Sequence, residues 1–338
     1  MHTTVLGCGI FGSVSGSSAA TCATIAKVAM PELERRGYDK SLALGSLAAA
    51  GGLGILIPPS ITMVVYAVAA DASVIRLFLA GFLPGFLLMG LFSGYIIWWS
   101  LRHPDKVPPA EAPSSFMEKL RRSGSLIPCG LLIVFIVWVL VAGIATATEC
   151  AAWGVLGSLA IAAASRTLTL RNFWDGLAGA TRVSCMIMFI LAGAAFLTKT
   201  MAFTGIPREL AEFVHGLHLS PYGLIAVLVG VYLVLGTALD GISMIVLTSA
   251  VVLPMVQKAG FDLVWFGIFI IMLIEIAEIT PPVGFNLFVL QNMTGVDSNR
   301  IARITLPFFA CMILAIVLIT LFPSIVTSVP NWLMGVER

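Results

Sequence analysis

The 338-residue sequence predicts an all-α polytopic membrane protein made of inverted-topology repeats, with two re-entrant hairpins and two broken transmembrane helices. Three observations predict it. The chain is 59% hydrophobic and 11% charged, with mean hydropathy +1.02, which no soluble domain matches. Four of its long apolar runs are interrupted by Gly, Ser or Pro-Pro, and two of those runs repeat two others at an offset of 223 residues. A net charge of +2 gives no reason to expect nucleic acid as a partner. The six cysteines are scattered singly, without CxxC or a Cys/His cluster, and read as small buried side chains. The opening MHTTVLGCGIFGSVSGSS shows no signal-peptide pattern.

In chain order, the first repeat (1–101) holds a hairpin at 2–30 with its tip at 12–18, a broken helix at 40–70 interrupted at 57–60, and a helix at 75–100. A proline removes a backbone donor and clashes with the preceding turn, so Pro58-Pro59 ends the helix at Ile57. The polar stretch 102–125 reads as a cytoplasmic linker. The second repeat (126–338) holds helices at 126–143, 150–165 and 176–200, a hairpin at 221–255 interrupted at 236–241, a broken helix at 262–293 interrupted at 280–284, and a helix at 302–327. Asp39 and Asp262, each after a Gly-aromatic pair, are expected to cap the helices that follow, and Glu149 to cap its own with Thr146.

With the linker inside, fourteen lysines and arginines fall on the cytoplasmic side and five outside, provided that 2–30 and 221–255 enter and leave on the same side. This places the C-terminus in the periplasm. The repeat pairs Pro31 with Pro254, Gly37 with Gly260, Asp39 with Asp262, Pro58-Pro59 with Pro281-Pro282, and Pro84 with Pro307, in one register. PELERRGYD then faces inside and its counterpart PMVQKAGFD outside, so the repeat is inverted. The same offset puts the counterpart of the helix at Leu126 about 97 residues before Met1. The expectation is a chain lacking the first helices of its first repeat.

Irregular backbone is costly in lipid unless it is buried in protein or lines a cavity, where freed carbonyls can hold a cation and helix N-termini favour an anion. Four tracts qualify: FGSVSGSSAAT (11–21), GILIPPSI (54–61), LGTALDGIS (235–243) and EITPPVGFN (278–286). Any one alone could be a packing surface or a kink; four in repeat-related positions point to a paired site. Asp240, Glu275 and Glu278 are further candidates, because charge inside a membrane is expensive. A serine-protease reading of GSVSG lacks a placed base, since His2 is terminal, His103 is in the linker, and His215 and His218 are in or beside a polar loop. No Walker A sequence is present, so no ATPase or other enzyme activity is expected.

The stretches GSVSGSSAA, IAKVAMPELERRGYD, GILIPPSITMVVYAVAADASVIRLFLAGFLPG, TATEC, GIPREL, LPMVQKAGFDLVWFG, EITPPVGFNLFV and LFPSIVTSVPNWL resemble, in order and along the whole chain, the large membrane (DctM-like) subunit of the tripartite ATP-independent periplasmic transporters. TATEC departs from the usual T-P-T-E-A in Ala147 and Cys150. The resemblance implies an elevator-type fold of the ion-transporter-superfamily kind in the bacterial inner membrane, importing an organic acid anion such as a C4-dicarboxylate or sialic acid with Na+ as coupling ion and no cofactor. It implies two partners, a small four-helix membrane subunit and a periplasmic substrate-binding protein. Carried over, Ser13, Ser15, Gly16, Pro58 and Pro59 would form one sodium-binding half, and Gly236, Asp240, Thr280, Pro281 and Pro282 the other. Ser17, Ser18, Ser60, Thr237, Gly284 and Asn286 would hold the carboxylate substrate between them. The competing readings are an inverted-repeat carboxylate carrier that works without a binding protein, and a truncated, non-transporting remnant.

Overall fold

The structure, a computed structural model, describes residues 1–109, 124, 127–205, 209, 212, 220–282 and 284–335. Most of the linker 102–125, part of GIPREL, His215, His218 and Val283 thus lie outside the described residues. All regular structure in them is helical: α1 (His2–Ser15), α2 (Ser18–Arg35), α3 (Lys40–Gly51), α4 (Leu53–Leu56), α5 (Ile61–Ala70), α6 (Val74–Arg102), α7 (Ile127–Val141), α8 (Ala147–Ala164), α9 (Leu170–Thr204), α10 (Pro221–Gly236), α11 (Gly241–Lys258), α12 (Leu263–Ala277), α13 (Phe285–Thr294), α14 (Ser298–Leu321) and α15 (Ser324–Met334). Among the described residues five helices are long and apolar enough to cross a membrane, and a sixth span is possible if α3–α4 and α5, bent by 47°, count as one. The protein is therefore a multi-pass membrane protein.

The chain divides into two compact units, Met1–Pro108 with Ile190–Arg338, and Pro109–Phe189. In the smaller unit α7 packs on α8, with Leu132 and Ile136 against Gly157 and Gly154. Thr146 and Glu149 form a capping box: the Thr146 N–H donates to Glu149 Oε2 at 2.8 Å and the Glu149 N–H to Thr146 Oγ1 at 3.3 Å.

In the larger unit, local chemistry sets the helix ends. Asp39 Oδ1 accepts from the Leu42 N–H and Asp262 Oδ1 from the Trp265 N–H, each at 2.8 Å. Gly16 ends α1 in the left-handed region at φ 61°. The expected helix 302–327 is two helices, because hydropathy runs on through LFPS while Pro323 cannot continue α14. The second of them, α15, packs on α6, where Arg76 donates to the Gly335 carbonyl at 2.8 Å.

The packing is reciprocal. α2 packs on α13 and α11 on α5; α14 packs on α3 and α6 on α12. At an offset of 223, α2 corresponds to α11, α3 to α12, and, within a residue, α5 to α13 and α6 to α14, so each contact has its counterpart. Helix caps keep that offset from Ser17 and Asp240 to Asp39 and Asp262, then move to 224 at Ser60 and Gly284. From cap to cap the second broken helix is one residue longer than the first, and since the prolines still match at 223 the extra residue falls after them.

Candidate functional site

Both proline pairs interrupt helices where the sequence places them: α4 ends at Leu56 before Pro58-Pro59, and α12 ends at Ala277 before Pro281-Pro282. Both Pro-Pro peptide bonds are cis. Each break lies against its own hairpin tip. A Cβ added to Gly16 would sit 3.4 Å from the Pro59 carbonyl oxygen and 3.3 Å from the Ile61 nitrogen. One on Gly12 would meet Gly54 Cα at 2.6 Å, and one on Gly54 would meet Thr21 Oγ1 at 2.6 Å and the Ser17 carbonyl oxygen at 2.9 Å. The first tip touches the first break only because these positions have no side chain.

At that tip the hydroxyls are satisfied locally. Ser15 Oγ and Thr21 Oγ1 are 2.7 Å apart, Thr21 Oγ1 donates to the Ser17 carbonyl at 2.8 Å, and Ser13 Oγ to the Ile10 carbonyl at 2.8 Å. Ser60, 2% exposed, caps α5 by accepting from the Met63 N–H at 3.4 Å.

The second tip follows the same plan with a charge added. Gly236 lies against Ala277 and Gly241 against Ile274. Asp240 caps α11, accepting from the N–H groups of Ile242 and Ser243 at 3.1 and 3.3 Å and from the Ser243 hydroxyl. Thr237 Oγ1 donates to the Val234 carbonyl at 2.7 Å and Thr280 Oγ1 to the Ile276 carbonyl at 2.6 Å. Asp240, Glu278 and Gly284 line one small crevice. Gly284 caps α13 at φ 50°, a conformation that side-chain-bearing residues rarely adopt.

One group ties the halves together. Asn286, on α13 and fully buried, donates from Nδ2 to Ser18 Oγ at 2.8 Å and to the Ala48 carbonyl at 3.1 Å, while its Oδ1 lies 3.1 Å from the Ser18 hydroxyl. Ser18 and Asn286 therefore satisfy each other here, across 268 residues of sequence.

Glu275 is fully buried and neither carboxylate oxygen has a hydrogen-bond partner; Glu278 Oε2 is likewise unpartnered. Glu275 packs on Gly52, where an added Cβ would fall 3.2 Å from its Cγ. An ionised carboxylate without a partner is costly in an apolar interior, so such a group stays neutral unless a positive species lies beside it. No three His, Cys, Asp or Glu among the described residues form a metal-holding group. The sequence offered no local sign of the glycines at 51, 52 and 54 as contact points. It also hid the Tyr66 hydroxyl, which donates to the Leu263 carbonyl at 2.8 Å where the two broken helices meet.

A family model described as the DctM component of the tripartite ATP-independent periplasmic transporter matches residues 2–325. The chain is 35% identical over 330 residues to the C4-dicarboxylate TRAP transporter large permease protein DctM of Pseudomonas aeruginosa, covering 97% of this chain and 77% of that protein. It is 30% identical over 320 residues to the isethionate TRAP transporter permease protein DctMQ of Oleidesulfovibrio alaskensis, covering 94% of this chain and 50% of the other. It is 31% identical over 327 residues to the ectoine/5-hydroxyectoine TRAP transporter large permease protein UehC of Ruegeria pomeroyi, covering 96% and 75%.

Proposed function

The chain belongs to the DctM component of the tripartite ATP-independent periplasmic transporters, a family of transporter subunits rather than enzymes, and on that premise we propose that it carries an organic acid anion across the bacterial inner membrane, driven by sodium. The observation that carries the reading is the pairing in each half of a hairpin tip with a Pro-Pro break: Gly16 on Pro59, and Gly236 on the turn before Thr280-Pro281-Pro282. A helix broken by proline leaves carbonyls without intrahelical donors, and such oxygens suit a hard monovalent cation. One sodium-binding half comprises Ser13, Ser15, Gly16, Pro58 and Pro59, the other Gly236, Asp240, Thr280, Pro281 and Pro282. The carboxylate of Asp240 favours the cation in the second.

Ser17, Ser18, Ser60, Thr237, Gly284 and Asn286 stand at the N-termini of helices or at tips between the halves. Helix N-termini attract anionic groups. The reciprocal packing supports an inverted repeat whose hairpins are re-entrant and whose halves move together as an elevator against a scaffold. A small four-helix membrane subunit and a periplasmic binding protein complete the system, and much of the choice of solute rests with the latter. The C-terminus lies in the periplasm.

Proteoliposomes containing the chain and both partners test this. Uptake of labelled succinate should require an inward sodium gradient and the binding protein. Uptake indifferent to sodium would sink the coupling, and uptake without the binding protein would favour an independent carrier.

A further inference from the structure

On the side of the second break that faces α14 lies a cavity of about 420 Å³. One wall is Thr280 and Pro281; the other is the face of α14 that carries Asn299, Ala302, Arg303 and Leu306, at the i, i+3, i+4, i+7 spacing of one helix face. The volume is in the range of small-molecule pockets and the lining is mostly apolar with few polar groups, as such pockets are.

The charge of this cavity is one-sided. Arg303 is exposed and has no ion-pair or hydrogen-bond partner among the described residues. The nearest acid in sequence on the same helix, Asp297, is engaged at the helix start, its Oδ1 accepting from the N–H groups of Asn299 and Arg300 at 3.0 and 3.3 Å. A planar guanidinium over an apolar pocket, with an amide one turn away, matches the two oxygens of a carboxylate.

We propose that this cavity is a carboxylate pocket in which Arg303 and Asn299 hold the anionic group of the carried solute, against the Thr280–Pro281 wall. The proposal rests on the organic-acid reading above and adds residues that it does not include. Because Thr280 and Pro281 border both the cavity and the second sodium-binding half, an anion here is placed to feel the cation there. On the expected topology Arg300 and Arg303 face the cytoplasm, so the pocket serves the release side.

The test is thermal unfolding of the purified full chain in sodium, titrated with succinate, malate and pyruvate, and with succinamide as a neutral control. The acids should stabilise the native chain and succinamide should not. Arg303→Gln should weaken succinate binding about 10- to 100-fold, as expected for losing charge-assisted hydrogen bonds, with Arg303→Lys in between. Ala302→Phe, which fills the cavity with the charge intact, should weaken binding similarly, and it decides the matter if Arg303→Gln fails to fold. Native-like succinate binding in Arg303→Gln or, failing that, in Ala302→Phe would overturn the pocket and leave the organic-acid reading standing. If none of the three acids stabilises the native chain, the pocket falls, and the organic-acid reading is judged by the uptake assay alone.

Discussion

Asn286 shows how one side chain fixes a geometry that spans the molecule. Its amide joins the start of α2 to the start of α13 and to the Ala48 carbonyl on α3. Asn286→Ala leaves the Ser18 hydroxyl and that carbonyl to find other partners in a buried place, at a cost of about 1–3 kcal/mol. The expected outcome is a lower melting temperature together with a raised sodium requirement for uptake; unchanged values of both would show that the bridge does not hold the halves. Gly54 makes a sharper case, because the tip packs on it. Gly54→Ala drives a methyl into Thr21 Oγ1 and the Ser17 carbonyl oxygen, so uptake should fall steeply. Gly90→Ala is the control, since nothing lies within 4 Å of its added Cβ. Equal uptake in the two variants would mean that the tip can retreat without harm.

At the scale of elements, what the sequence made legible was whatever local chemistry decides. Asp39, Asp262 and Thr146 sit before helices with the side chains that caps need, and all three cap. The proline pairs break their helices because a missing donor is a property of the residue, whatever surrounds it. Boundaries set by competition were harder: apolar content carried the expected 302–327 helix through Pro323, and α9 begins at Leu170 rather than near 176. The partners of Asn286 and Tyr66 were out of reach, since no local pattern names a residue some 200 or more positions away. The repeat-related caps invite a direct comparison. Asp39→Ala and Asp262→Ala each remove one N-cap bond of 2.8 Å, and each should cost about 1 kcal/mol. Chemical or thermal unfolding of both variants should give similar losses; a loss at one site alone would show that the two copies carry unequal loads.

For the whole molecule, the reciprocal contacts between α2 and α13, and between α11 and α5, mean that neither half of the proposed site is built by one repeat alone. Each hairpin's second arm rests on the far half of the other broken helix. A cation ordering the first tip therefore acts through α2, Ser18 and Asn286 on α13, which begins at the second break. Binding at one half should then ease binding at the other, because linkage between sites is reciprocal. Uptake as a function of sodium should be sigmoidal, with a Hill coefficient above 1. Asp240→Asn keeps the shape of the second tip but removes its charge, and should flatten the curve to a Hill coefficient of about 1 while raising the sodium needed for half-maximal uptake. The Asn286→Ala variant should flatten it too with both sodium-binding halves otherwise intact, since it cuts the connection rather than a sodium ligand. A hyperbolic sodium curve in the native chain would separate the halves and leave the buried bridge a packing feature. A sigmoidal curve that survives Asn286→Ala would route the coupling instead through Tyr66, whose hydroxyl joins the two broken helices at Leu263.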